Sequence, residues 1–136
     1  MPENAPALLD PNDLGPYASA LGLTVTTATP DLVEATWTVT DSLLQPYGML
    51  HGGAHCAVIE TLASLAAALW LGLDGRVVGT TNTTDFYRAT VTGDQLTSIT
   101  KPLHRGRSRQ VWRVETFDDK QRLVAAGQVA IQNLRP

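Results

Sequence analysis

The stretch GGAHCAVIETLASLAAALWLGL, residues 52–73, contains a single acidic side chain, Glu60, and no lysine or arginine. It holds no proline and is rich in alanine and leucine, so it reads as one long helix. A helix apolar on every side must be covered on every side. By length alone it could span a bilayer. Against that stand His55, the weak driving force of so many alanines, and Glu60 near its centre. A charge at the centre of a membrane helix costs about 2.5–3.5 kcal/mol on insertion scales. The stretch is therefore expected to be the buried central helix of a soluble protein, with no membrane as partner.

The flanking sequence decides what covers it. Upstream, Asn12 or Asp13 can cap a short helix that runs to Leu21 and stops at Gly22. Two runs rich in β-branched residues follow, LTVTTAT (23–29) and DLVEATWTVT (31–40), split by Pro30. In the second, Val33, Ala35, Trp37 and Val39 fall on one face. QPYGMLHGG (45–53) reads as a loop entering the long helix. Downstream, strand-like runs occupy 76–89, 95–104, 108–117 and 123–133, with turn signals at TGD (92–94), HRGR (104–107) and DDKQ (118–121). The order is helix, two strands, long helix, four strands. This predicts an α+β fold in which a curved antiparallel sheet wraps one central helix.

The chain has 136 residues, enough for one domain with one modest core. Residues 1–11 are expected to fray. A small sheet covers only part of the helix circumference, so a second subunit is expected on the remaining side. Composition agrees: 17% of residues are charged, against about 25% in ordinary soluble domains. The 43% hydrophobic content excludes disorder, the single cysteine, Cys56, excludes a disulfide framework, and the formal charge of −3 argues against nucleic acid as a partner. The N-terminus shows no basic region followed by an apolar run, so the expected compartment is the cytoplasm.

Two features of the helix carry chemistry. Ser64 lies four residues beyond Glu60 on the same face, where its hydroxyl can meet the carboxylate or a water beside it. Left to these residues, Glu60 is a solvated or distantly paired acid, or else a buried carboxylate with raised proton affinity. The helix opens on His51-Gly52-Gly53, where bare backbone and free N–H groups at the positive end of the dipole can stabilise an oxyanion. The same glycines could simply permit a tight turn. His55 and Cys56 read as structural, and the three histidines and one cysteine show no metal-ligand spacing.

The segment QPYGMLHGGAHCAVIETLAS (45–64) resembles the signature of hotdog-fold acyl-CoA thioesterases. It is most similar to the branch holding the phenylacetate-pathway, enterobactin-proofreading and Arthrobacter-type 4-hydroxybenzoyl-CoA thioesterases. In that branch a glutamine precedes the HGG histidine by six residues and the catalytic carboxylate follows it by nine. Gln45, His51 and Glu60 keep both spacings, with Ser64 as the hydroxyl residue. The resemblance covers about residues 20–134 and implies a hotdog fold whose dimer joins two sheets edge to edge, then assembles into a tetramer. It also implies hydrolysis of an acyl-CoA, with CoA as part of the substrate and no further cofactor. Glu60 would be nucleophile or general base, and Gly52 N–H, with His51 or Gln45, would polarise the carbonyl; Gly53 lies beside them. Tyr47, Met49, Leu50 and Phe86 would line a pocket suited to an aryl or medium-length acyl group. Arg88 falls where relatives carry Arg-Pro, with Ala89 replacing the proline, and Phe86 and Tyr87 stand where one relative has histidines.

Between Gln95 and Val114 lie Lys101, His104, Arg105, Arg107, Arg109 and Arg113 and no acid, so half of the ten Lys and Arg fall in twenty residues. Alone, this is a solvated hairpin or an anion site. In the resembled family a Gly-Arg-Ser pattern lies near the nucleotide end of CoA, which makes Gly106, Arg107, Ser108 and the neighbouring Arg105 candidate phosphate contacts. Two other activities fit a hotdog. Enoyl-CoA hydratases and dehydratases use differently spaced acid–histidine pairs, and a non-catalytic acyl-CoA binder would favour an apolar residue at position 60.

Overall fold

A computed structural model describes residues 10–136. The expected fraying of residues 1–11 therefore falls, for 1–9, outside the described residues. Asp10 opens a turn, accepting Asn12 N–H on Oδ1 at 2.9 Å and Asp13 N–H on its carbonyl at 3.0 Å. These two contacts correct the expected start of the first helix. Asn12 and Asp13 cap nothing; α1 is Pro16–Leu21, entered through Gly15 at φ 92°. Pro16 takes the first helical position, where a missing N–H leaves nothing unsatisfied. Gly22 ends the helix at φ 73°, as expected.

The other elements follow the expected order: β1 (Thr24–Ala28), β2 (Val33–Thr38), a 3-10 turn (Asp41–Leu43), α2 (Gly52–Leu71), β3 (Arg76–Phe86), β4 (Gln95–Arg105), β5 (Arg109–Phe117) and β6 (Leu123–Leu134). All six strands form one antiparallel sheet in the order β1-β2-β4-β5-β6-β3. The chain leaves α2 and crosses to the far edge, so β3 pairs only with β6, from Arg76↔Leu134 to Phe86↔Ala125. Its other side is an open edge of eleven residues. The β5–β6 turn closes on Asp118, whose carboxylate accepts N–H groups of Lys120 and Arg122 and the Arg122 guanidinium. The Arg122 backbone N–H, first among these, holds the Asp118 carboxyl below the usual range.

The inward faces are those the alternation predicts. Val33, Ala35, Trp37 and Val39 are buried, and Leu96, Trp112, Val114, Val124, Val129 and Ile131 extend the same layer. They enclose Val58, Ile59, Leu62, Leu65 and Ala66 of α2. The apolar length of this helix is thus explained by the sheet that wraps it. Several polar groups inside are paired: Trp37 Nε1 donates to Ser98 Oγ at 3.1 Å, and Ser98 to or from Thr116 Oγ1 at 2.7 Å. Gln110 is fully buried, accepts Trp112 Nε1–H at 2.8 Å, and donates to Asn133 Oδ1 at 2.7 Å and to the Ala67 carbonyl at 3.2 Å. Along α2 one stripe stays uncovered, with Gly53 and Glu60 exposed and Ala57, Thr61, Ser64 and Ala68 half-buried.

Candidate active site

The loop before α2 is built to hold the helix start. Gln45 N–H donates to Met49 O at 2.8 Å and Gly48 N–H to Gln45 O at 3.0 Å, with Gly48 at φ 84°. The Gln45 side-chain carbonyl accepts Tyr47 N–H. Leu50 N–H then reaches Thr90 O and His51 N–H reaches Leu43 O, both at 2.8 Å. The chain enters α2 from these two anchors. His51 is the N-cap: its Nδ1 accepts Gly53 N–H at 2.8 Å, which leaves the proton of the neutral ring on Nε2. A Cβ on residue 53 would sit 2.8 Å from that Nδ1, so the cap requires the glycine. Gly52 N–H has no acceptor among the described residues. Of the two amides expected to face an oxyanion, Gly53 is taken by the cap and Gly52 is free.

Gly52 opens onto a cleft of about 340 Å3 lined by Gln45, Met49, Leu50, Gly52, His55, Phe86, Tyr87, Arg88, Ala89 and Thr90. The Phe86 ring lies on the bare backbone here; a Cβ on residue 52 would meet its Cζ at 2.8 Å. Gln45, Met49, Gly52, Phe86 and Arg88, singled out separately in the sequence, are thus brought together. Tyr47 is not: its side chain is 88% exposed and outside the cleft wall, because the Gly48 turn carries it outward.

Of the two readings left open for Glu60, the single chain shows the solvated one. Glu60 is exposed on the open stripe of α2. With Ser64, Thr61, Leu65, Ala68, Leu14 and Val77 it lines a second groove, of about 300 Å3. Its carboxyl group lies over Gly79 of β3, where a Cβ would come 3.5 Å from Oε1. Eight residues separate Glu60 from Gly52, about 12 Å along the axis. Within one chain the carboxylate and the free amide therefore serve different cavities.

The β4–β5 hairpin divides the basic residues. Arg105 is committed within the fold, which removes it from the candidate phosphate contacts. It donates to Asp31 Oδ1 at 2.7 Å and Pro30 O at 2.9 Å, and its guanidinium sits 5.7 Å from the Trp70 ring and 5.8 Å from that of Trp112. Gly106 closes the turn: its N–H donates to Arg109 O at 2.8 Å, and a Cβ would strike His104 Nε2 at 2.7 Å. Asn133 Nδ2 donates to the carbonyls of Gly106 at 3.0 Å and Arg107 at 3.2 Å, which pins the turn to β6. Arg107 and Ser108 remain exposed, as do Lys101 and Arg109. Arg105→Met should lower stability by about 1–2 kcal/mol, for the lost ring contacts and a partly exposed ion pair, read as a Tm lower by about 5 °C.

The sequence model of the thioesterase superfamily matches residues 47–125, a span that includes the helix start, Glu60, the basic hairpin and every cleft residue but Gln45. The chain belongs to the thioesterase superfamily. The crystal structure of S. sahachiroi AziG superposes on this thioesterase with a TM-score of 0.89 and 53% identity, over 90% of this chain and 99% of that one. The proofreading thioesterase EntH of Cronobacter sakazakii is 38% identical over 84% of this chain and 82% of its own length. The 1,4-dihydroxy-2-naphthoyl-CoA hydrolase of Escherichia coli is 36% identical over 73% and 72%. The sheet wrapped on one helix is the hotdog fold, and the protein is a thioester hydrolase.

Two cleft residues of this thioesterase escaped the sequence reading. His55, taken there as structural, is one turn from Gly52 and enters the cleft wall; Thr90 follows a run of strand-like residues with nothing to mark it. His55 packs edge-on to Trp37 at 5.7 Å and stacks on Phe86 at 6.0 Å. Burial pushes its pKa from 6.5 down to about 4. The folded protein thus resists protonation that the unfolded chain accepts. The contribution of His55 to stability is fully present above pH 6.5 and is lost as pH drops towards 4; the loss amounts to about 3 kcal/mol once both states are protonated. Denaturant titrations of wild type and His55→Phe across that range should show this acid loss only in the wild type.

Proposed function

We propose that the protein hydrolyses an acyl-CoA bearing an aryl or medium-length acyl group to the free acid and CoA. The reading is carried by the free Gly52 N–H, at the positive end of a twenty-residue helix, opening into a cleft shared with Gln45, Met49, Phe86 and Arg88. A thioester carbonyl bound there accepts a hydrogen bond from Gly52, with Gln45 or the His51 Nε2–H beside it, and the negative charge that develops on its oxygen is stabilised. By one route Glu60 then attacks the carbonyl carbon, expelling the CoA thiolate and leaving a mixed anhydride that water hydrolyses to the free acid and the Glu60 carboxylate. By the other it takes a proton from an attacking water, and the tetrahedral intermediate expels the thiolate, which that proton converts to the thiol. Ser64 orients the carboxylate or the water. CoA leaves as the thiol.

The distance between Gly52 and Glu60 supports a site completed by a second copy, each protomer's Gly52 facing the partner's carboxylate. The unpaired β3 edge and the uncovered stripe of α2, which carry Gly79 and Glu60, support a homodimer built along that edge. Pairing of two such dimers gives the tetramer we infer, in the cytoplasm and without a further cofactor. The exposed Arg107 and Ser108, on a turn fixed by Asn133, suit the CoA phosphates.

A thiol-release assay over benzoyl-, hydroxynaphthoyl- and C6–C12 acyl-CoAs tests the activity; absence of release from every member would overturn it. Arg107→Ala should raise KM for a CoA ester about fivefold to tenfold. The matching pantetheine thioester, which lacks the nucleotide, should be unaffected, and equal effects on both would remove the phosphate role.

A further inference from the structure

Buried polar atoms are almost always hydrogen-bonded. Among the described residues, three side-chain atoms break this rule: His55 Nδ1, Thr90 Oγ1 and Thr100 Oγ1. The third is on β4, away from the cleft. The first two belong to residues only 3% exposed, and both line the Gly52 cleft. The His55 ring is wedged between Trp37 and Phe86, so it cannot easily turn to find a partner, and the Thr90 backbone is fixed at the cleft by its carbonyl, which accepts Leu50 N–H at 2.8 Å. Two orphaned groups in one cleft wall need a partner from outside the chain.

We propose that His55 and Thr90 form a neutral polar subsite that binds one uncharged hydrogen-bonding group of the thioester substrate, a hydroxyl or an amide, and thereby select which thioesters turn over. This rests on the thioesterase reading of the Gly52 cleft. Burial keeps the imidazole uncharged at neutral pH, so one ring nitrogen donates and the other accepts, and the Thr90 hydroxyl does both. The pair therefore matches a group that offers both a donor and an acceptor. His55 is three residues beyond Gly52, about 4.5 Å along the axis, so the bound group lies within a few bonds of the carbonyl held at Gly52. Two parts of a thioester reach that far: a hydroxyl on the acyl side, or the first amide of the pantetheine arm on the thiol side. A substrate without the group leaves both protein atoms unpaired, which is how buried polar sites discriminate.

The test compares kcat/KM for wild type, His55→Phe, Thr90→Val and Thr90→Ser on two substrate pairs. One pair is benzoyl-CoA against the three isomeric hydroxybenzoyl-CoAs. The other is benzoyl-N-acetylcysteamine, which keeps the amide, against benzoyl butanethiol ester, which lacks it. In one pair the wild type should favour the hydrogen-bonding member by at least about tenfold, and His55→Phe and Thr90→Val should each bring that ratio towards one, with Thr90→Ser restoring it. A change confined to the first pair assigns the acyl hydroxyl; one confined to the second assigns the amide. Turnover with both ratios unaltered in every variant overturns the subsite and makes the pair a structural feature bridged by trapped water. If His55→Phe does not fold, Thr90→Val decides alone. Absence of thiol release from every substrate by the wild type overturns the thioesterase reading of the cleft, and the subsite with it.

Discussion

Glu60→Ala is expected to lower kcat by at least about 10²–10³, the scale of losing one catalytic group in a preorganised site, with little change in KM. Glu60 joins none of the three ion pairs among the described residues and is exposed on α2, so its removal breaks no contact that holds the fold. Alanine is also the better helix former. Circular dichroism and Tm should match wild type, which makes the kinetic loss attributable to the carboxylate. Near-wild-type turnover of Glu60→Ala on a substrate the native protein cleaves would end its assignment, whatever the route it was given.

Gly52→Pro removes the other half of the site by a different means. Proline at the first helical position costs no helix hydrogen bond, because that N–H is unpaired in any helix. His51 is already extended, at φ −63° and ψ 130°, as a residue before proline must be. Any side chain at position 52 meets the Phe86 ring and shifts a cleft wall, so Gly52→Ala, which makes that contact and keeps the N–H, is the control. Beyond that control, Gly52→Pro loses the single amide hydrogen facing the carbonyl, and kcat should drop by about a further 10²–10³. The two variants together test the assembly. Refolding a mixture of Glu60→Ala and Gly52→Pro chains should recover about a quarter of wild-type activity if each site joins Gly52 of one chain to Glu60 of the other, since half the dimers are mixed and hold one intact site. A site contained within one chain would give no recovery.

Much of the fold was legible because it rests on local pattern. The alternation of Val33, Ala35, Trp37 and Val39, the turn residues between strands, and the uncharged run that becomes α2 each carry their own signal. The Gln45–His51–Glu60 spacing was legible only through the thioesterase family it resembles, and the exposure of Glu60 was not legible at all: it depends on which side of α2 the sheet leaves open. What escaped depends on residues distant in sequence. Arg105 reads as one basic residue among five until Asp31, Trp70 and Trp112 converge on it. Tyr47 reads as a pocket aromatic until the Gly48 turn carries it away. His55 reads as filler because the Phe86 that stacks on it is thirty-one residues downstream.

Each of the three tryptophans touches a group discussed above: Trp37 the His55 ring, Trp70 and Trp112 the Arg105 guanidinium. The chain therefore carries its own optical gauge. Emission from Trp37 should change when a ligand or a proton reaches His55, whereas Trp70 and Trp112 report on whether the end of α2 and the basic hairpin stay clamped together. With Phe replacing one tryptophan at a time, cleft occupancy and hairpin integrity become two separable signals in unlabelled protein.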